Sequence, residues 1–71
     1  MLGEYLKRKR LDLNIDQTEM AARLGTSQSY YSQLESGARK PGFRMIRAIA
    51  LEFGTDPAEL RKLIGYGEKD G

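Results

Sequence analysis

Seventy-one residues, 39% hydrophobic and 31% charged, make one small domain with a single thin core and are too apolar for a disordered chain. The absence of cysteine and histidine excludes disulfides and cysteine-based metal sites and removes the commonest general base. Net charge is only +2, yet Lys7, Arg8, Lys9 and Arg10 form one basic block and Arg39, Lys40, Arg44 and Arg47 another, and such local patches can follow a phosphate backbone.

Helix start and stop signals predict five helices and no strand, an all-α fold. The first spans roughly 2–13, with Leu2, Tyr5, Leu6 and Leu13 as its apolar stripe. Asn14 is its expected left-handed terminator. Asp16 is the expected N-cap of the second helix, with Glu19 completing a capping box and Ile15 and Met20 a hydrophobic staple. Met20, Ala21 and Leu24 face inward, and Gly25 stops the helix. Ser27 caps the third, which runs to about residue 36 with Tyr31 and Leu34 as its inward face, before Gly37. After the loop ARKPG, a fourth helix over 43–53 carries Phe43, Ile46, Ile49, Ala50 and Phe53 at helical spacing and ends at Gly54. The fifth opens on Asp56-Pro57-Ala58-Glu59, an N-cap, a proline at the first helical position and an acid at N3. Leu60, Leu63 and Ile64 form its apolar side. The expected domain is 1–65, and 66–71 is read as a flexible tail.

The second and third helices are short and joined by a tight turn. A small residue, Ala21, sits where they would cross closely. Met20, Leu24, Tyr31 and Leu34 supply their shared core. This spacing is that of a helix-turn-helix.

The stretch QTEMAARLGTSQSYYSQLES resembles the helix-turn-helix of the phage-repressor and Cro type, also called the XRE family. KRKR before it, SGARKP after it and IALEFGTDPAEL near the end extend the resemblance over about residues 2–65. It implies a compact five-helix repressor-like DNA-binding domain. Asn14 departs from a position usually held by Gly, and Thr26 from one that is often aliphatic. Met45 and Leu51 stand where polar residues are common and suggest an exposed apolar strip for a protein contact.

Gln28, Ser29, Ser32 and Gln33 occupy one outward face of the third helix, since residues four apart stack. Their short or medium hydrogen-bonding side chains suit base edges in the major groove, and Gln matches adenine as donor and acceptor together. They are the expected base contacts. Gln17, at the start of the second helix, is expected to donate to a phosphate beside the helix-end N–H groups. Arg39, Lys40 and Arg44, with Ser36, are the other expected phosphate contacts. Tyr30 stays open between a phosphate or methyl contact, packing on the basic loop, and plain exposure. The resemblance further implies an ion pair between Arg10 and Glu35 that braces the third helix.

The expected function is sequence-specific binding of double-stranded DNA by a transcriptional regulator, most simply a repressor, acting on a palindromic operator as a weak homodimer or a dimer assembled on DNA. Two alternatives are an antitoxin of a toxin–antitoxin pair and a protein-interaction module that no longer reads DNA. No nucleophile–base pair, metal set or phosphate-binding loop points to an enzyme, and no cofactor is implied. No apolar run approaches the ~20 residues of a membrane span and the opening MLGEYLKRKR lacks the h-region of a signal peptide, so a cytoplasmic protein is expected, and the resemblance implies a bacterial or phage origin.

Overall fold

The structure is a computed structural model and describes residues 2–64; the expected tail, 66–71, lies outside the described residues. Among the described residues the elements are five helices: α1 (Leu2–Asp12), α2 (Gln17–Leu24), α3 (Gln28–Ser36), α4 (Phe43–Phe53) and α5 (Pro57–Ile64).

Local chemistry sets most of these boundaries. The Asp16 carboxylate accepts the Glu19 backbone N–H at 2.9 Å, and the Ser27 hydroxyl accepts that of Tyr30 at 3.1 Å. Each cap satisfies one of the amide donors left free at a helix start, worth about 1 kcal/mol. Glu19 turns its own carboxylate to Arg23 at 3.1 Å. Asp56 Oδ1 accepts the Ala58 N–H at 2.9 Å and opens α5. Between α2 and α3, Gly25 adopts φ 74°, a left-handed backbone that an L side chain resists. That conformation lets Gly25 N–H reach Ala22 O at 3.1 Å and Thr26 N–H reach Ala21 O at 2.9 Å, which closes the end of α2. Asn14 reverses the chain in the same way after α1, with φ 58°.

α3 packs against α2 and α1, and α4 against α2 and α5. The core they enclose is built from Leu2, Leu6, Met20, Ala21, Leu24, Tyr31, Leu34, Ile46, Ile49, Ala50 and Leu60. Tyr31 and Leu34 place α3 at the centre of the fold, so the opposite side of that helix is left facing outward. Tyr5 ties α1 to the α4–α5 corner. Its ring meets Phe53 edge-on at 6.3 Å between centroids, and its hydroxyl pairs with Thr55 Oγ1 at 2.8 Å.

Three expectations about apolar residues need correcting. Leu13 is 43% exposed, because α1 ends at Asp12 and the chain turns away before Leu13 can continue the stripe. Phe43 is 64% exposed: it opens α4 ahead of the first buried turn, and its ring lies beneath the Arg47 guanidinium at 6.0 Å instead of in the core. Met45 is half-buried and packs against the core, so it forms no strip with Leu51, which is 79% exposed. Residues six apart lie on different faces of a helix; Phe43, Arg47 and Leu51, spaced by four, share one.

Gly3 stands inside the first turn of α1, where no cap requires glycine. A Cβ there would overlap the Glu35 carbonyl oxygen and come within 2.9 Å of the carbonyl carbon. The backbones of α1 and α3 touch at this point, and only a residue without a side chain permits it.

Candidate nucleic-acid interface

The outward side of α3 starts from a buried anchor. The Tyr31 ring is fully buried, and its hydroxyl donates to Glu35 Oε2 at 2.6 Å. Arg10 Nε donates to the same oxygen at 2.6 Å and Nη2 to Oε1 at 3.3 Å, while Nη1 takes the Ile15 carbonyl at 3.1 Å. One guanidinium thereby holds α3 and the α1–α2 turn together. Gln17 Nε2 donates to Glu35 Oε1 at 3.1 Å, so Glu35 is addressed from three other residues. Burial by itself pushes the Glu35 carboxyl up, but the hydrogen bonds from Arg10, Tyr31 and Gln17, with the charge of Arg10, outweigh it and hold the carboxyl below its ordinary range. Burial, then the bond to Glu35, push the Tyr31 hydroxyl well above its ordinary value, so it stays a donor.

From Glu35 the polarity runs outward. A carboxylate can only accept, so Gln17 must face it with its nitrogen and present its oxygen on the other side. That oxygen accepts Gln28 Nε2 at 2.8 Å. Gln28 is exposed at the start of α3 and keeps one amide N–H and its carbonyl oxygen for a ligand. The expected phosphate donor Gln17 is thus half-buried and already gives one of its two N–H groups to Glu35.

Ser29 is exposed and Ser32 and Gln33 are half-buried on the same helix. Gln33 is tied to the loop that follows: Arg39 Nε donates to Gln33 Oε1 at 3.0 Å, and Arg39 N–H to the Gln33 carbonyl at 3.2 Å. The Arg39 guanidinium also lies 5.8 Å from the Tyr30 ring centre. Tyr30 thus packs on the basic loop, one of the readings left open for it. Ser36 gives its hydroxyl proton to the Gln33 carbonyl at 3.2 Å and accepts Ala38 N–H at 3.3 Å, so it closes the end of α3 and reaches a phosphate only by releasing that bond.

The two basic blocks separate. Lys9 lies 5.5 Å from the Tyr5 ring and 5.8 Å from Phe53, and Arg10 is committed to Glu35. Only Lys7 and Arg8 of that block are exposed. Lys40, in the loop after α3, and Arg44, in the first turn of α4, are exposed, and among the described residues neither makes an ion pair. No acidic residue occurs between Glu35 and Glu52. Pro41, which is buried, anchors this loop to the body of the domain.

Two contributors escaped the sequence reading. The Tyr31 hydroxyl was expected to be core only, although its position four residues before Glu35 on one helix was a usable signal. Gly3 was visible as a glycine inside a helix without a capping role.

The helix-turn-helix family profile matches residues 6–60. The chain is similar to the ImmF control region 10 kDa protein of Bacillus phage phi105, with 38% identity over 55 residues that cover 78% of this chain and 61% of that protein. It is also similar to the uncharacterized HTH-type transcriptional regulator YqaF of Bacillus subtilis, with 32% identity over 56 residues, 79% of this chain and 74% of the relative. A third match, the propionyl-CoA carboxylase regulator of Cereibacter sphaeroides, is 36% identical over 58 residues, which are 82% of this chain but 13% of that protein. No solved structure matches the chain. A close-packed α2–α3 pair with both caps in place, together with these matches, makes the chain a member of the helix-turn-helix family of the phage-repressor and Cro type, a family of DNA-binding transcription regulators.

Proposed function

We propose that this domain binds double-stranded DNA in a sequence-specific manner by laying the start of α3 in the major groove, and that it serves as a transcriptional repressor in the bacterial cytoplasm. The observation that carries this reading is the Gln28 amide, exposed at the start of α3 and held by Gln17 with one donor and one acceptor left over. That pair complements the N7 acceptor and N6 donor of adenine. Ser29, Ser32 and Gln33 extend the reading face. Lys40 and Arg44, with Arg39 and the remaining N–H of Gln17, meet the flanking phosphates and set the register without reading sequence. Ser36 joins them if DNA draws its hydroxyl from Gln33.

Four candidate base-reading side chains give little discrimination alone, so the domain acts as a two-fold dimer on half-sites about one helical turn, ~34 Å, apart. The outer face of α4, with Phe43, Arg47 and Leu51, supports a contact between copies. Leu51→Glu should leave unfolding unchanged and weaken binding to a paired half-site more than to a single one.

Selection of bound sequences from a random DNA pool tests the proposal. The expected result is a palindromic enriched site with adenine at a fixed place in each half. Recovery of unenriched DNA by a folded protein would sink it.

A further inference from the structure

Ile64, the last described residue, lies in the wall of a cavity of about 100 Å³ beside the basic loop. Leu2, Leu34 and Leu63 share that apolar wall, and Arg39 and Lys40 line it as cations. Leu63 and Ile64 pack against the core yet stay only half-buried. Small-molecule pockets run to about 300–1,000 Å³, so this cavity suits a single large side chain better than a ligand. The next seven residues are GYGEKDG, and Tyr66 is the only large apolar residue among them. Its ring is apolar and its hydroxyl polar, which matches an apolar cavity edged by cations. An extended chain spans at most about 3.6 Å per residue, so Tyr66 stays within about 7 Å of Ile64 and Glu68 within about 14 Å. Alternate residues of an extended segment share a side, so Glu68 and Asp70 can face the loop together while Lys69 points away. Among the described residues, neither Arg39 nor Lys40 makes an ion pair.

We propose that Tyr66 seats in this cavity and carries Glu68 and Asp70 onto Arg39 and Lys40, so that the chain's own carboxylates compete with DNA phosphates for the basic loop. This rests on the assignment of that loop to the phosphate backbone. The ring supplies the anchor, because exposed ion pairs are too weak to hold a segment by themselves. Tethering then keeps the carboxylates at high local concentration, and DNA must displace them before the cations can meet phosphate. Phosphate contacts carry no sequence information, so the tail lowers affinity on all sequences alike and leaves base preference to α3.

The test compares full-length wild type, Tyr66→Ala and Glu68→Gln/Asp70→Asn, each with and without Arg39→Ala/Lys40→Ala. Affinity for a short duplex of mixed sequence is measured at low salt; urea unfolding and NOEs from the Tyr66 ring are recorded without DNA. Wild type should show NOEs from that ring to the Leu2, Leu63 and Ile64 methyls. Tyr66→Ala should unfold at lower urea. Although it removes no charge, it should bind DNA about two- to fivefold more tightly, the scale of one exposed ion pair. The acid-to-amide variant should gain affinity to a similar extent and keep the NOEs. Both gains should vanish without Arg39 and Lys40. Unchanged unfolding and affinity in Tyr66→Ala would overturn the inference and leave the cavity to another occupant. A gain confined to the acid-to-amide variant would overturn it in favour of long-range repulsion without a seated ring. NOEs seen only between differently labelled copies would do so by giving the seat to a second copy's tail. If neither wild type nor any variant bound DNA, the DNA reading would fall and the competition with it, while the ring NOEs would still report the seat.

Discussion

The two basic blocks look alike in the sequence and do opposite things in the molecule. In α1, four consecutive cations point around a helix, so the block cannot form one patch. Arg10 turns into the Glu35 network, Lys9 covers the Tyr5 and Phe53 rings, and Lys7 and Arg8 stay in solvent in the company of Glu4 and Asp12. In the segment from Arg39 to Arg47 the cations are interrupted by proline and glycine and spread over a loop and the first turns of α4. They stay on the surface, with no acid between Glu35 and Glu52. A contiguous run of charge therefore marks a helix with several faces, whereas the broken run keeps all four of its cations exposed. The first block should govern stability and the second binding.

The strongest way to break that division is Arg10→Ala. It strands the Glu35 carboxylate among its remaining partners, and removing one member of a buried pair costs about 3–5 kcal/mol. Urea unfolding should show this loss, and DNA affinity should fall with it because Gln17 and Gln28 lose their support. Glu35→Ala should do both as well; normal melting and normal binding in that variant would refute the brace.

Gly3→Ala comes next. The backbones of α1 and α3 would have to part, and overpacking of this kind costs about 1–3 kcal/mol. A melting temperature equal to that of wild type would mean that the close approach at Glu35 is not needed.

The same network sharpens the comparison through pH. Glu35 has a folded value held below its unfolded one, near 4.3. Its contribution is complete above the unfolded value and is lost as pH falls through the folded one. Stability measured from pH 7 downward should decline in that acid window, and less steeply in Glu35→Gln, which has no carboxyl to titrate there.

Lys40→Ala should leave stability within about 0.5 kcal/mol, as expected for a surface site. It should weaken binding about equally on all DNA sequences and lower the salt slope by about one. Lys7→Ala should change neither quantity measurably; a salt-slope change as large as that of Lys40→Ala would show that the two blocks share one role.

The fold was largely legible in the chain. Asp16, Ser27 and Asp56 each act on an N–H two or three residues away, and Gly25 and Asn14 act on their own φ angles, so these signals need no knowledge of distant partners. The outward place of Gln28, Ser29, Ser32 and Gln33 followed from the inward place of Tyr31 and Leu34. Where periodicity ran to a helix end it failed: Leu13 and Phe43 fit an apolar stripe in sequence, but the packed partner stops before they begin.

Sequence by itself determined five helices, their caps and which side of α3 looks outward, because capping, turn geometry and helical period act over four residues or fewer. Tertiary structure decided what each polar group has left to offer. Arg10 meets Glu35 across 25 positions, Gln17 meets it across 18 and Gln28 meets Gln17 across 11. A hydrogen bond consumes a particular donor or acceptor, and only the packing of α1, α2 and the basic loop around α3 determines which one is consumed. Thus two glutamines that are chemically identical in the chain are engaged at opposite ends of their amides in the folded domain, Gln28 through its nitrogen and Gln33 through its oxygen.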